Sequence, residues 1–152
     1  MNKSGFAAGF ALAAAMAVGA AAFAADTAPR IGDKVSDGTV YAGFSPDTIK
    51  SMYTTVADAP GLYSLEKGVG YCAALDTDGH QDWRVPTKGE LNELFHSRAA
   101  IGGLNKTGSN PAGWYWSSSP NNNFSGWEQR FSDGLQNFNF RTNALSLRCV
   151  RG

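Results

Sequence analysis

The chain has 152 residues, the length of one ordinary domain. Its composition, 43% hydrophobic and 17% charged, is typical of a globular protein and excludes a disordered one. The 13 basic and 13 acidic side chains balance at neutral pH. The chain therefore lacks the basic field that nucleic-acid binding needs, and we expect no nucleic-acid partner.

The first 24 residues have the pattern of a secretory signal peptide. Lys3 precedes an uncharged apolar run over residues 6–23, which ends in the small-x-small site Ala22-Phe23-Ala24. We predict cleavage after Ala24, export to the periplasm, cell surface or exterior, and a single domain over residues 25–152 without a membrane span. An uncleaved membrane anchor is the alternative, since the run approaches the ~20 residues that a span requires.

The chain has two cysteines, Cys72 and Cys149. In an oxidising compartment an even number of cysteines favours a disulfide. Such a bridge would close a loop of about 78 residues and stabilise the fold by about 4 kcal/mol in the chain-entropy model. Two free buried thiols are the alternative.

Turn signals divide the region that follows the signal peptide. They lie at Asp37-Gly38, Ser45-Pro46-Asp47 and Ala59-Pro60-Gly61. Between them, residues 39–41 and 52–55 are rich in β-branched and aromatic side chains and predict two short strands.

Two helices are predicted in the middle of the chain. The first begins at Ser64 as N-cap and runs to Leu75, with an apolar face formed by Leu65, Val69, Cys72 and Leu75. The second begins at Thr87, whose spacing to Glu90 fits a capping box, and carries the apolar stripe Leu91, Leu94 and Phe95.

From Trp114 onward the pattern predicts only strands and loops. Strands are expected at residues 114–117, 127–131 and 136–141, with a hairpin turn at Asp133-Gly134. Residues 145–150 alternate between apolar and polar and predict a final half-buried strand. Two helices followed by a strand-rich half indicate an α+β domain.

Four motifs follow one another along the chain: Gly79-His80-Gln81-Asp82-Trp83-Arg84-Val85-Pro86-Thr87 with Glu90-Leu91, Tyr115-Trp116-Ser117-Ser118-Ser119, Phe131-Ser132-Asp133-Gly134, and Leu147-Arg148-Cys149-Val150-Arg151. In this order they resemble the Lcl C-terminal domain family over about residues 30–151. The resemblance implies a C-type-lectin-like fold, distantly related to the fold of the formylglycine-generating enzymes.

The C-terminal part is also similar to the variable proteins of diversity-generating retroelements. Those proteins display a mutable ligand-binding face, and their mutations fall at template adenines, often in AAC codons. Such mutation cannot produce Lys, Glu, Gln, Trp or Met, and residues 121–125 and 137–143 contain none of these. The resemblance implies that the ligand-binding residues are Asn121, Asn122, Asn123, Phe124, Ser125, Asn137, Phe138, Asn139, Phe140 and Arg141.

The composition of this region supports the same reading. Residues 110–141 hold eight of the 18 aromatic residues and six asparagines. Rigid aromatics mixed with small hydrogen-bonding side chains are typical of recognition loops. The alternative is a set of core aromatics beside a merely polar loop. We expect residues 121–125 and 136–141 to supply an exposed face, and a core containing Trp114, Trp116, Trp127 and Phe131.

Residues that could bind metal or catalyse a reaction do not form a recognised pattern. Glu93 and His96 share a helix face, but a di-metal centre would need a second such pair. His80 has no ligand at zinc spacing. The acidic residues between 76 and 82 do not fit a calcium loop. No nucleophile elbow is present. We therefore predict no metal, no cofactor and no catalytic residues.

The sequence thus predicts an exported binding protein, with no enzymatic activity, that holds a macromolecular or cell-surface ligand on its C-terminal strands and loops. Diversification of that face by a retroelement is part of this hypothesis. One alternative is an adhesin or glycan-binding module of fixed specificity. A second is a degenerate enzyme of the formylglycine-generating type, which would need Cys72 and Cys149 as free thiols.

Overall fold

The computed structural model describes residues 27–77 and 79–152. The predicted signal peptide and its cleavage site lie outside the described residues. The elements, in chain order, are β1 (Val40–Phe44), β2 (Ser51–Thr54), α1 (Leu65–Ala73), α2 (Lys88–His96), α3 (Arg98–Ile101), β3 (Trp114–Pro120), β4 (Ser125–Arg130), β5 (Gln136–Phe140) and β6 (Val150–Arg151).

The strands form two antiparallel sheets of three strands each. The first sheet has the order β1-β2-β6, so the last strand of the chain pairs with the N-terminal hairpin. The second sheet has the order β3-β4-β5 and consists of consecutive strands. The predicted α+β class is confirmed.

The second sheet lies between two apolar clusters. Adjacent side chains of a strand point to opposite faces. Tyr115 accordingly packs in one cluster with Leu91 and Leu94 of α2. Trp116 packs in the other cluster with Leu65 of α1. The two helices therefore cover opposite faces of this sheet, and neither helix has an extensive contact with β5.

Helix α1 buries a different face from the predicted one. Leu65 and Cys72 are buried as expected, but Val69 is 46% exposed and Gly68 is buried in its place. A Cβ atom at position 68 would lie 3.2 Å from the Leu147 side chain. The missing side chain thus allows close packing of the helix on Leu147. Ser64 occupies the N-cap position, but its side chain makes no capping hydrogen bond.

Helix α2 begins with the predicted capping box. The Thr87 hydroxyl accepts a hydrogen bond from the Glu90 backbone N–H at 3.1 Å, and the Glu90 carboxylate accepts one from the Thr87 backbone N–H at 2.9 Å. Glu90 is fully buried, where Arg84 and the Ser45 hydroxyl also donate to its carboxylate. The N-cap of α2 is therefore also connected to an ion pair in which the Glu90 carboxylate is buried and the Arg84 side chain is partly exposed.

The predicted disulfide between Cys72 and Cys149 is confirmed. It links α1 to the residue just before β6, with a Cα–Cα distance of 5.6 Å. Both cysteines are buried. The alternative of two free thiols is therefore wrong.

The final strand differs from the prediction. Only Val150 and Arg151 form β6, and all residues from 145 to 150 are buried, so the alternation in this stretch does not mark an exposed face. Arg148 is fully buried because its guanidinium donates to the Asp58 carboxylate and to the carbonyls of Thr55 and Gly102.

Two further features were not predicted. Trp127 is only half-buried instead of lying in the core, and the Lys88 Nζ atom sits 3.3 Å from its ring centroid. The expected core positions of Trp114, Trp116 and Phe131 are confirmed. The short helix α3 follows α2 and ends at Ile101, before the C-cap residue Gly102, where φ is +72°.

Candidate functional site

The turn between β3 and β4 is shaped by its own asparagine side chains. Asn122 Oδ1 accepts hydrogen bonds from the backbone N–H groups of Phe124 and Ser125, at 2.8 and 2.9 Å. Asn121 Nδ2 donates to the Ser125 hydroxyl at 3.1 Å. Both Asn121 and Asn122 backbone N–H groups donate to the Ser125 carbonyl. The turn therefore presents Phe124 to solvent on a defined backbone, with 76% of the residue exposed.

The end of β5 lies beside this turn. The Arg141 backbone N–H donates to the Phe124 carbonyl at 3.0 Å, and the Leu65 N–H donates to the Arg141 carbonyl at 2.9 Å. Asn139 binds the following turn through its side chain, because its Oδ1 accepts from Asn143 Nδ2. Three segments thus meet here: the β3–β4 turn, the residues after β5 and the start of α1.

Two concavities open at this junction. A cleft of about 220 Å³ is lined by Asn122, Phe124, Ser125, Phe138, Asn139 and Phe140. A shallower groove of about 500 Å³ is lined by Ser64, Glu66, Asn123, Phe124, Arg141 and Thr142. Phe124 borders both. We call the residues of the two linings together the aromatic face.

Eight of the ten sequence-predicted ligand residues line the aromatic face, and Asn121 and Asn137 do not. Phe138 and Phe140 are 54% and 66% exposed, as the hypothesis of an exposed face requires. Ser125 differs from the expectation, since it is 4% exposed. Its hydroxyl accepts the bond from Asn121 and so serves the turn.

The sequence did not indicate that Ser64, Glu66 and Thr142 would line the groove. Ser64 and Glu66 stand at the start of a helix more than fifty residues before the predicted face. They reach it because α1 packs against the second sheet. No local pattern marks these residues, and the backbone bond between Leu65 and Arg141 could be found only in the folded chain.

A buried carboxyl group lies behind Asn139. Glu128 is 6% exposed, and its Oε2 atom accepts a hydrogen bond from Asn139 Nδ2 at 3.0 Å. Desolvation raises the pKa of Glu128 above its ordinary value, and the bond from Asn139 opposes that rise. Asn139 therefore has a structural role in addition to lining the cleft.

A polar cluster around Asp37 joins the turn before β1 to the last strand, β6. Asp37 accepts hydrogen bonds from His80 Nε2 at 2.9 Å and from the Arg151 guanidinium. Burial acts to raise the pKa of Asp37, but hydrogen bonds from Thr39 and His80 and the charge of Arg151 lower it to about 2. This cluster ties β6 to the turn before β1.

The other candidate ligands remain apart. Glu93 is half-buried while His96 is exposed and packs edge-on against Phe95. Across residues 27–77 and 79–152, no group of three His, Cys, Asp or Glu side chains is arranged to hold a metal ion. Within the same residues, no helix has the length and apolar character of a membrane span.

The described residues form an α+β domain with one internal disulfide. Exposed aromatic and amide side chains lie at one end of its second sheet. The family model described as Lcl C-terminal domain matches residues 43–151. The chain belongs to this family. Comparison with curated proteins gave no significant match.

Proposed function

We propose that the protein is an exported binding domain that holds a macromolecular or cell-surface ligand on its aromatic face. One observation carries the proposal: Phe124, Phe138 and Phe140 are each more than half exposed around a single cleft. Exposed apolar groups that are gathered at one place, and bordered by polar side chains, are typical of interaction sites. Aromatic rings supply contact area at low cost in conformational entropy.

The resemblance to retroelement variable proteins adds a proposal about the origin of this face. In this proposal the domain has a C-type-lectin-like fold, and its exposed side chains vary between copies of the gene. Surface substitutions that break no structural contact usually change stability by less than about 0.5 kcal/mol. A diversified face requires that tolerance.

The hydrogen bonds divide the ten predicted ligand residues into two groups. Asn121, Asn122, Ser125 and Asn139 are hydrogen-bonded through their side chains to the turn or to Glu128. In the described part of the chain, side-chain hydrogen bonds are absent from Asn123, Phe124, Asn137, Phe138, Phe140 and Arg141. We expect variation between copies to concentrate at the five of these positions that line the aromatic face, and not at Asn137, which lies outside it.

Sequencing of the flanking DNA tests the diversification. The expected result is a second copy of the codons for about residues 114–151, mismatched only at adenines, beside a reverse transcriptase frame. Absence of such a repeat would remove the retroelement and leave a binding domain of fixed specificity.

Binding itself is tested with variants on an array of glycans and on whole bacterial cells. The triple variant Phe124→Ala, Phe138→Ala, Phe140→Ala is expected to lose binding. The control Val56→Ala, Val69→Ala removes exposed apolar side chains elsewhere and is expected to retain binding. Equal binding by both proteins would contradict the proposed site. Binding confined to glycans would favour the adhesin or glycan-binding alternative.

The enzyme alternative receives no support from the cysteines. A degenerate formylglycine-generating enzyme would need Cys72 and Cys149 as free thiols, and both sulfur atoms form the buried disulfide.

A further inference from the structure

Strand β5 is an edge of the second sheet, and the hydrogen-bond pattern shows which of its backbone groups are free. Arg130 N–H donates to the Leu135 carbonyl, and Arg141 N–H donates to the Phe124 carbonyl. With the register Trp127↔Phe138, this places Gln136, Phe138 and Phe140 at the positions whose backbone groups point away from β4. Phe140 uses its N–H and carbonyl in bonds to Asn139 and Asn143. Among the described residues, the outward N–H and carbonyl groups of Gln136 and Phe138 have no hydrogen-bond partner.

This edge lacks the devices that usually prevent pairing between molecules. Natural edge strands are protected by charged side chains, proline, bulges or a covering element. Strand β5 has five residues, Gln136 to Phe140, with no charge, no proline and no register shift against β4. In the described part of the chain, β5 pairs only with β4.

We propose that β5 pairs with β5 of a second copy, so that two sheets join into one antiparallel sheet of six strands about a two-fold axis at Asn137. In this register Gln136 of each copy lies opposite Phe138 of the other. The four resulting backbone hydrogen bonds use the N–H and carbonyl groups that are free at Gln136 and Phe138. A symmetric dimer interface requires such a self-complementary surface.

The side chains near the strand also fit this register. Continued past the strand ends, the register brings Arg141 toward Asp133 of the second copy, whose carboxylate is already paired with Arg130 of its own chain. The two Asn137 side chains lie on the axis as a close pair with Cα atoms about 4.5 Å apart. An amide can both donate and accept a hydrogen bond, so two asparagines can pair with each other.

Edge pairing uses backbone groups and leaves both faces of the sheet displayed. The dimer would therefore carry two copies of the aromatic face, one toward each end of the paired β5 strands, and a ligand with repeated epitopes would be held at two points with higher avidity. The dimer does not depend on the proposed ligand-binding function, and its test needs no ligand.

The test exploits the close contact of the two Asn137 side chains. Asn137→Lys and Asn137→Glu each place like charges opposite one another, which opposes pairing. We expect each variant alone to dimerise at least about tenfold more weakly than wild type in analytical ultracentrifugation. An equimolar mixture of the two should form the mixed dimer, because opposite charges then meet on the axis.

The matched controls are Ala99→Lys and Ala99→Glu, which add the same charges at an exposed position on α3 and should dimerise as wild type does. A wild-type protein that stays monomeric up to millimolar concentration would overturn the proposal, and the edge would then be open to a foreign strand. Dimers that are insensitive to charge at position 137 would overturn it as well.

A cysteine variant covers the case in which a charged variant does not fold. Asn137→Cys is expected to form an intermolecular disulfide under mild oxidation, since the paired Cα distance lies in the range that a disulfide spans. Ala99→Cys should not cross-link in this way. Equal cross-linking at both positions would contradict a specific axis at Asn137.

Discussion

Asp58 and Arg148 show how single residues can control the stability of this fold. Arg148 is fully buried, and its Nε atom donates to Asp58 Oδ1 at 2.9 Å. The other Asp58 oxygen accepts a hydrogen bond from the Tyr115 hydroxyl at 2.5 Å. Burial and the neighbouring Asp58 raise the pKa of Tyr115, which therefore remains neutral and donates this hydrogen bond. One carboxylate thus serves two buried groups from different parts of the chain.

Removal of this carboxylate is expected to be costly. Asp58→Ala leaves the buried Arg148 guanidinium without its carboxylate partner. Breaking such a pair typically lowers the free energy of unfolding by about 3–5 kcal/mol. We expect a loss near the lower end of that range, because the Asp58 side chain is 23% exposed. Urea denaturation measures the loss. The control Asp76→Ala removes an exposed acid and should change stability by less than about 0.5 kcal/mol. Equal effects of the two substitutions would contradict this reading.

Asp37 makes stability depend on pH. Its pKa is about 2 in the folded protein and 3.8 in the reference state, so the folded state favours the charged form. The stabilisation is present above the unfolded pKa and is lost as the pH falls from about 4 through 2. Melting temperatures of wild type and Asp37→Asn should therefore differ at pH 6 and converge toward pH 2. A constant difference across this range would rule out the ionised form of Asp37 as the cause.

At the scale of elements, the two main helices begin in different ways. Helix α2 has a reciprocal capping box, whereas the N-cap serine of α1 makes no side-chain hydrogen bond. The start of α1 instead depends on the backbone bond from Leu65 to Arg141 and on packing of Gly68 against Leu147. Both helices carry a cap signal in the sequence, but only one cap forms.

This difference predicts unequal effects of the same kind of substitution. Thr87→Ala removes the capping hydrogen bond and also the bond that the Thr87 hydroxyl donates to Asp47, and should cost at least about 1 kcal/mol of stability. Ser64→Ala removes no capping hydrogen bond and should cost much less stability than Thr87→Ala does. Thermal denaturation followed by circular dichroism measures both. A larger loss for Ser64→Ala than for Thr87→Ala would mean that the cap geometry is wrong.

At the scale of the whole molecule, the disulfide and β6 connect the end of the chain to its earlier elements. Cys149 is bonded to α1, and the next two residues pair with β2. Arg151 adds its contact with Asp37. These links hold the C-terminal residues against Asp37, β2 and α1.

Loss of the disulfide should weaken the whole fold. The bonded cysteines are 77 residues apart, and the entropy of closing such a loop corresponds to about 4 kcal/mol. The double variant Cys72→Ala, Cys149→Ala should lose about this amount in denaturant unfolding. Addition of reductant should then have no further effect on it, whereas wild type should be destabilised. A wild-type protein that is unchanged after verified reduction would contradict this role.

Sequence patterns that depend on near neighbours predicted much of the fold. The turn signals bounded β1 and β2 and separated β4 from β5, and the Thr87–Glu90 spacing located α2. The even cysteine count indicated the disulfide, and the ordered motifs around Trp83, Trp116 and Cys149 indicated the family. Most of the predicted ligand residues also line the aromatic face. The turns and the α2 cap are set by backbone preferences and by spacing over a few residues, so the sequence by itself determined them. The disulfide followed from the cysteine count, and the candidate ligand positions followed from the family resemblance.

Only the tertiary structure decided which predicted positions face the core and which face solvent. Gly68 is buried and Val69 exposed because Leu147 packs on α1, and Arg148 is buried because Asp58 and two carbonyls satisfy it. Ser64 and Glu66 line the groove because the Leu65 N–H at the start of α1 donates to the carbonyl of Arg141, just after β5. Each of these outcomes depends on contacts between residues far apart in the chain, and local periodicity carries no information about such contacts.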